Sequence, residues 1–140
     1  HSHMVSFLSS ASAEAAFYDA FSNGDHAAMM GVWAQTTDII CVHPLGPRLT
    51  GLQQISESWK HILGNDGTRE FEIQTKTKWS GDGLVVHVVN EIISVRGGEL
   101  RFAPVLATNI YKRIDGGWLM VAHHASIDAS KNVEPSQTRH

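Results

Sequence analysis

The chain has 140 residues, 42% of them apolar and 18% charged, and a formal net charge of −3; that length suits one ordinary domain with a core large enough to need no staples. No Lys/Arg run marks a nucleic-acid surface, and no apolar stretch approaches the ~18–20 residues that a membrane span requires. A single cysteine, Cys41, leaves no intrachain disulfide and fits a cytoplasmic setting.

The opening HSHM (residues 1–4) has the look of an expression-tag remnant. One domain is expected over 5–128, followed by a polar tail over 129–140. From Ala11 to Asn23, the residues Ala13, Ala16, Phe17, Ala20 and Phe21 recur at helical spacing, with Ser10 or Ser12 as cap and Glu14 in the first turn. Asn23-Gly24 stops that helix, and Asp25 caps a second one over His26 to Ala34. A short strand, Ile39 to Val42, runs into His43 and ends at Pro44. Gly46-Pro47 supplies a turn, and Thr50 or Gly51 starts a third helix. Its apolar residues Leu52, Ile55, Trp59, Ile62 and Leu63 share one face, and Gly64-Asn65-Asp66-Gly67 breaks it.

Four long strands follow. Phe71, Ile73, Thr75, Thr77 and Trp79 alternate with polar residues up to a hairpin turn at Ser80-Gly81-Asp82-Gly83. Leu84 to Val95 is apolar on both faces. Glu99 to Arg113 contains Pro104, the mark of an edge or a bulge. Asp115-Gly116-Gly117 turns the chain into the last strand, Trp118 to Ile127. Segregated helices and strands predict an α+β fold with the N-terminal helices in the concave face of a curved antiparallel sheet, a cone-shaped barrel. A sheet apolar on both faces must cover both, so a homodimer through the sheet is expected.

The motifs NGD at 23–25, CVHPLGPRLTG at 41–51, ISESW at 55–59, ATNIYKR at 107–113 and DGGW with HHAS at 115–126 resemble the SnoaL-like branch of the nuclear transport factor 2-like superfamily, with its cystatin-like fold. The tryptophan–histidine–serine ending also resembles the association domain of calcium/calmodulin-dependent kinase II. The superfamily hosts isomerases, dehydratases, cyclases and pure assembly modules, so the resemblance implies a fold before a function. In its ketosteroid isomerases an aspartate base precedes a proline at the end of the first strand, where this chain has His43. The isomerases' tyrosine and second acid fall at Phe17 (beside Tyr18) and near Thr108, so steroid isomerisation is not implied.

Strand parity puts Ile39, Cys41 and His43 on one face. It puts His87 and Glu91 together, and likewise Asn109 and Tyr111. The resemblance turns the first face into the cone and favours His123 as inward, leaving His124 and Ser126 for the dimer face. The expected catalytic set is His43 as base, with His123 and Asn109 polarising or shuttling. Phe17, Trp33, Cys41, Trp59, Phe71, His87 and Glu91 are expected to line the pocket around a small apolar ligand bearing a carbonyl. Glu91 is expected either to orient a histidine or to pair with Arg96 or Arg101. No cofactor and no metal are expected, because the histidines come from separate strands without ligand-like spacing. The alternative is a ligand-binding or association module without chemistry.

Overall fold

A computed structural model describes residues 7–65, 69–98 and 102–132. Residues 1–4, Asp66-Gly67 of the helix-breaking turn, 99–101 and the tail beyond Asn132 lie outside them. The first helix, α1 (Ser10–Asn23), is capped by Ser9, whose side chain accepts from the Ser12 N–H at 3.0 Å. The helix therefore starts one residue earlier than expected, and Glu14 lies beyond its first turn, free for another task. Gly24, at φ 65°, closes the helix in the left-handed conformation that glycine adopts without a Cβ penalty. Asp25 caps α2 (His26–Val32) as expected, accepting from the Ala28 N–H at 3.0 Å. That helix ends two residues early because Trp33 turns extended and bridges to Met120.

Two short strands, β1 (Ile40–Val42) and β2 (Arg48–Thr50), form an antiparallel pair around the Pro44–Gly46 turn. Helix α3 (Gly51–Asn65) leaves β2 directly, with Gln54 Oε1 accepting from the Thr50 N–H at 2.9 Å. The long strands are β3 (Arg69–Ser80), β4 (Leu84–Val95), β5 (Val105–Ile114) and β6 (Gly117–Ile127). One curved, unclosed sheet contains all six strands in the order β2-β1-β6-β5-β4-β3. Every pairing is antiparallel except β1 with β6, which is parallel. Between β5 and β6 the turn has φ 52° at Asp115 and 85° at Gly116, the doubly left-handed pair that two-residue hairpins use.

Pro104 does not interrupt β5. It stands just before the strand, and its carbonyl accepts from the Asp128 N–H at 2.9 Å. This placement spares an interior strand the loss of a ladder N–H. The polar tail begins with one helical turn, α4 (Ala129–Asn132), capped by Asp128 Oδ1 on the Ser130 N–H at 3.0 Å.

Helices α1 and α3 fill the concave face. Ala13, Phe17, Ile55 and Trp59 are fully buried there against Cys41, Tyr111 and Met120. A second, smaller cluster of Val89, Val105, Ala107 and Ala125 packs towards the other end of the strands. No described helix is long and apolar enough to cross a membrane.

Candidate functional site

His43 follows the last residue of β1, and the turn after it is tightly built. Leu45 is held at φ 65°, a conformation that costs a residue with a Cβ about 1 kcal/mol. The Gly46 N–H reaches back to the His43 carbonyl at 2.8 Å, and a Cβ at Gly46 would come within 3.2 Å of that oxygen. The imidazole is half-buried and stands edge-on to the Trp59 indole at 4.8 Å between centroids.

Its tautomer follows from hydrogen-bond accounting. Ser58 Oγ donates to the Ile55 carbonyl at 2.8 Å, so towards His43 Nε2, 3.1 Å away, it accepts. Nε2 therefore carries the proton, with Cys41 Sγ 3.6 Å away as a weak second acceptor. Nδ1 keeps its lone pair and has no hydrogen-bond partner among the described residues. Burial pushes the His43 pKa down, so at neutral pH the ring is a base. Burial pushes the Cys41 thiol up to about 12, which makes it a small buried apolar group and not a nucleophile.

His123 is inward on β6, as the resemblance implies, and His124 is exposed. Its Nδ1–H donates to Asn109 Oδ1 at 2.6 Å, and its ring centroid is 6.4 Å from that of His43 and 5.0 Å from that of Phe17. Complete burial, followed by the neighbouring His43 and His124, pushes its pKa down to about 3. His123 is therefore neutral, with its proton on Nδ1. Asn109, expected from the sequence to polarise or shuttle, is already engaged on both ends of its amide. Its carbonyl holds His123, and its amide donates to Tyr18 Oη at 3.0 Å and to Glu14 Oε2 at 3.3 Å.

From Asn109 a buried polar network spreads between α1 and strands β4, β5 and β6. Tyr18 Oη donates to Glu91 Oε2 at 2.6 Å, and Tyr111 Oη donates to Glu14 Oε2 at 3.3 Å. His87 Nε2 lies 2.9 Å from Ser10 Oγ. His87 Nδ1 is 3.0 Å from Glu14 Oε2, but off the line of an aligned hydrogen bond, so that contact is electrostatic. Burial, with a smaller push from Glu14, lifts the Glu91 carboxyl to about 7. Tyr18 and Tyr111 are held well above the usual phenol range, first by burial and next by the charges of Glu91 and Glu14 respectively. Glu91 thus meets Tyr18 and not Arg96. Arg96 binds the Ser22 carbonyl at 3.1 Å, and Arg101 lies outside the described residues.

The structure brings His43, His123, Asn109, Cys41, Phe17 and Trp59 into one cluster, with Glu91 and His87 joined through the network. Phe71 packs on Tyr18 and Phe21 at the far side. Trp33 is buried against Met120 and makes no ring contact with the cluster among the described residues. Phe17, Trp33 and Trp59 are fully buried and fill the interior instead of walling an open cavity. The Nε1–H groups of Trp33 and Trp59 have no hydrogen-bond partner among the described residues. Open space adjoins His43 elsewhere: a groove of about 830 Å³ between β2 and α3, lined by His43, Leu49, Glu57, Ser58, His61 and Ile62, among others. No described cluster of three or more His, Cys, Asp or Glu is placed to hold a metal.

Sequence reasoning missed Ser10 and Glu14 and gave Tyr18 no role. A signal was present, since Ser10, Glu14 and Tyr18 recur at i, i+4 and i+8 beside the apolar stripe.

A profile of the SnoaL-like domain family matches residues 11–130. A structure from Thiobacillus denitrificans, provisionally named a calcium/calmodulin-dependent protein kinase type II association domain, is 32% identical with a TM-score of 0.83, covering 88% of this chain and 98% of its own. A provisional dehydratase of the NTF2-like family from Streptomyces avermitilis is 29% identical with a TM-score of 0.74, covering 82% and 90%. F-box protein SKIP8 of Arabidopsis thaliana is 28% identical over 101 residues, 71% of this chain. The chain spans only 41% of that curated relative's length.

Proposed function

The chain belongs to the SnoaL-like domain family, and from that membership we propose a small-molecule protein that performs proton-transfer chemistry (isomerisation, dehydration or cyclisation) on an apolar carbonyl compound, with His43 as the base. The observation that carries this reading is the His43 Nδ1 lone pair. It is fixed by the Ser58 contact and depressed in pKa, and the ring borders the groove. His123, oriented by Asn109, supports the same ring cluster. A neutral imidazole accepts a proton without first losing one, so the activity should rise with pH through the lowered His43 pKa and be flat at neutrality. The dehydratase name of the Streptomyces avermitilis neighbour is consistent with chemistry of this class.

The test is α-proton exchange of cyclohexanone in deuterium oxide. His43→Ala should cut the protein-dependent rate by about 10²–10⁴-fold while the fold, read by circular dichroism, persists. An unchanged rate would remove His43 from the chemistry.

A second reading, an association module, has its own observation. The outer face of the sheet carries a trough of about 680 Å³ lined by Ile40, Val88, Leu106, Ile110, Ala122 and His124, among others. Leu106 is 39% exposed there, and the Thiobacillus denitrificans neighbour carries the name of an association domain. We propose that a second copy of the chain covers this face. Leu106→Asp should convert a dimer into a monomer by sedimentation velocity; an unaltered oligomeric state would place the contact elsewhere.

A further inference from the structure

We infer that the groove beside His43 takes a cation: a small molecule with an apolar body and one ammonium group, seated on the Glu57 carboxylate. The inference rests on the small-molecule reading above and names the charge of its ligand. Every group it uses lines the open groove; Trp59 and His123, packed in the core, play no part.

The lining combines two kinds of chemistry. Leu49 of β2 and Ile62 of α3 are half-buried and offer hydrocarbon. Glu57, Ser58 and His61 stand on one side of α3, because residues three and four apart lie one turn above another. Ser58 is the residue that holds His43 at 3.1 Å, so the carboxylate is the chain neighbour of the base's own anchor. Binding at Glu57 therefore keeps a molecule beside the base.

Charge decides the class. Among the described residues Glu57 is the one carboxylate in the lining, and it has no ion pair or hydrogen bond there. Arg48 and Lys60 flank the groove but do not line it, and neither pairs with Glu57. Burial lowers the His43 pKa, so at neutral pH that ring does not repel a cation. Gln53 and Gln54 add neutral amides, and the Gln54 oxygen is already taken by the Thr50 N–H. An ammonium brings three N–H donors to a carboxylate left without one. A carboxylate or phosphate ligand would meet a charge of its own sign and no Lys or Arg in the lining. Glu57 is exposed, so water weakens the attraction and salt screens it.

Cyclohexylammonium, cyclohexanol and cyclohexanecarboxylate share one ring and differ in charge, and proton–nitrogen NMR titration at about pH 7.5 and low salt compares them. The ammonium should shift the backbone signals of Glu57, Ser58 and His61 and bind at least about tenfold more tightly than the carboxylate, with the alcohol between them. Glu57→Gln, a neutral change at an exposed position that leaves the fold intact, should shrink that ratio to about twofold or less. About 0.5 M sodium chloride should shrink it likewise in the wild type. Equal affinity for ammonium and carboxylate, a preference that survives Glu57→Gln, or shifts confined to residues outside the groove overturns the inference. Cyclohexanone exchange that depends on His43 without any cation preference overturns the cation site and leaves the base reading standing. A cation preference with exchange indifferent to His43 removes the base and keeps the cation site.

Discussion

Glu91→Gln should make the protein about 3 kcal/mol more stable at about pH 8 and change little below about pH 4.5. Folding lifts the Glu91 carboxyl from 4.5 to about 7 through burial, with Glu14 adding a smaller push. A raised carboxyl binds its proton more tightly in the folded chain than in the unfolded one. Its stabilising effect is therefore complete below about 4.5 and is lost as pH climbs through about 7. Glutamine stays neutral throughout and keeps an oxygen to accept the Tyr18 hydroxyl. His123 acts in the opposite sense. Its folded pKa falls from 6.5 to about 3, so its contribution is present above 6.5 and disappears as pH drops towards 3. Between about 4.5 and 6.5 the two slopes cancel, and wild-type stability should be level there. The variant, lacking the carboxyl, should show a stability that rises across that window. Urea unfolding at a series of pH values decides the matter. Parallel curves for wild type and Glu91→Gln would mean that the carboxyl is already ionised in the folded protein. The charged and hydroxyl groups that bear on this titration are Tyr18 and Glu14 of α1, with Tyr111 of β5 in the field of both carboxyls.

Asn109→Leu should cost about 3–5 kcal/mol in urea unfolding, despite near-equal volume. The amide is fully buried and joins two buried groups, His123 and Tyr18, to the part-buried Glu14. Its loss leaves the His123 Nδ1–H without an acceptor and withdraws a donor from both Tyr18 and Glu14. Each stranded buried group adds a desolvation penalty of about 1–3 kcal/mol. The His123 tautomer would also be released, so exchange activity should fall further than the loss of folded protein explains. A cost below about 1 kcal/mol would show that the network contributes little net stability.

Most of the fold is legible in the sequence, and the reasons are local. Leu84 to Val95 is a long, largely apolar run rich in β-branched residues between two turn signals, and β4 falls where that pattern places it. Asp25, Gly24 and the Asp115-Gly116 hairpin announce themselves through backbone chemistry that few other residues satisfy. Pro104 misleads: the strand expected to run through it from Glu99 begins only at Val105, since an imino acid flanking a strand and one inside an edge strand look alike in sequence. The site is half legible. Parity suffices to put Cys41 and His43 on one face and His87 with Glu91 on another. The polar stripe of Ser10, Glu14 and Tyr18 is indistinguishable, in a single helix, from a solvated face. Only the curvature of the sheet, which brings His87, Glu91 and Asn109 over it, reveals that it is buried. The groove between β2 and α3 escapes for the same reason, being made by side chains from elements whose packing angle no pattern encodes.

The parallel pairing of β1 with β6 sets Cys41 opposite His123 and Val42 opposite His124. Residues from the first third of the chain therefore acquire their neighbours only when nearly its whole length has emerged from the ribosome. Joining such distant segments carries a large loop-closure entropy and is slow compared with zipping the intervening hairpins. A nascent or truncated chain ending before Ala122 can already possess α1, α3 and most of its hairpins, yet β1 then lacks the β6 partner that sets Cys41 against His123.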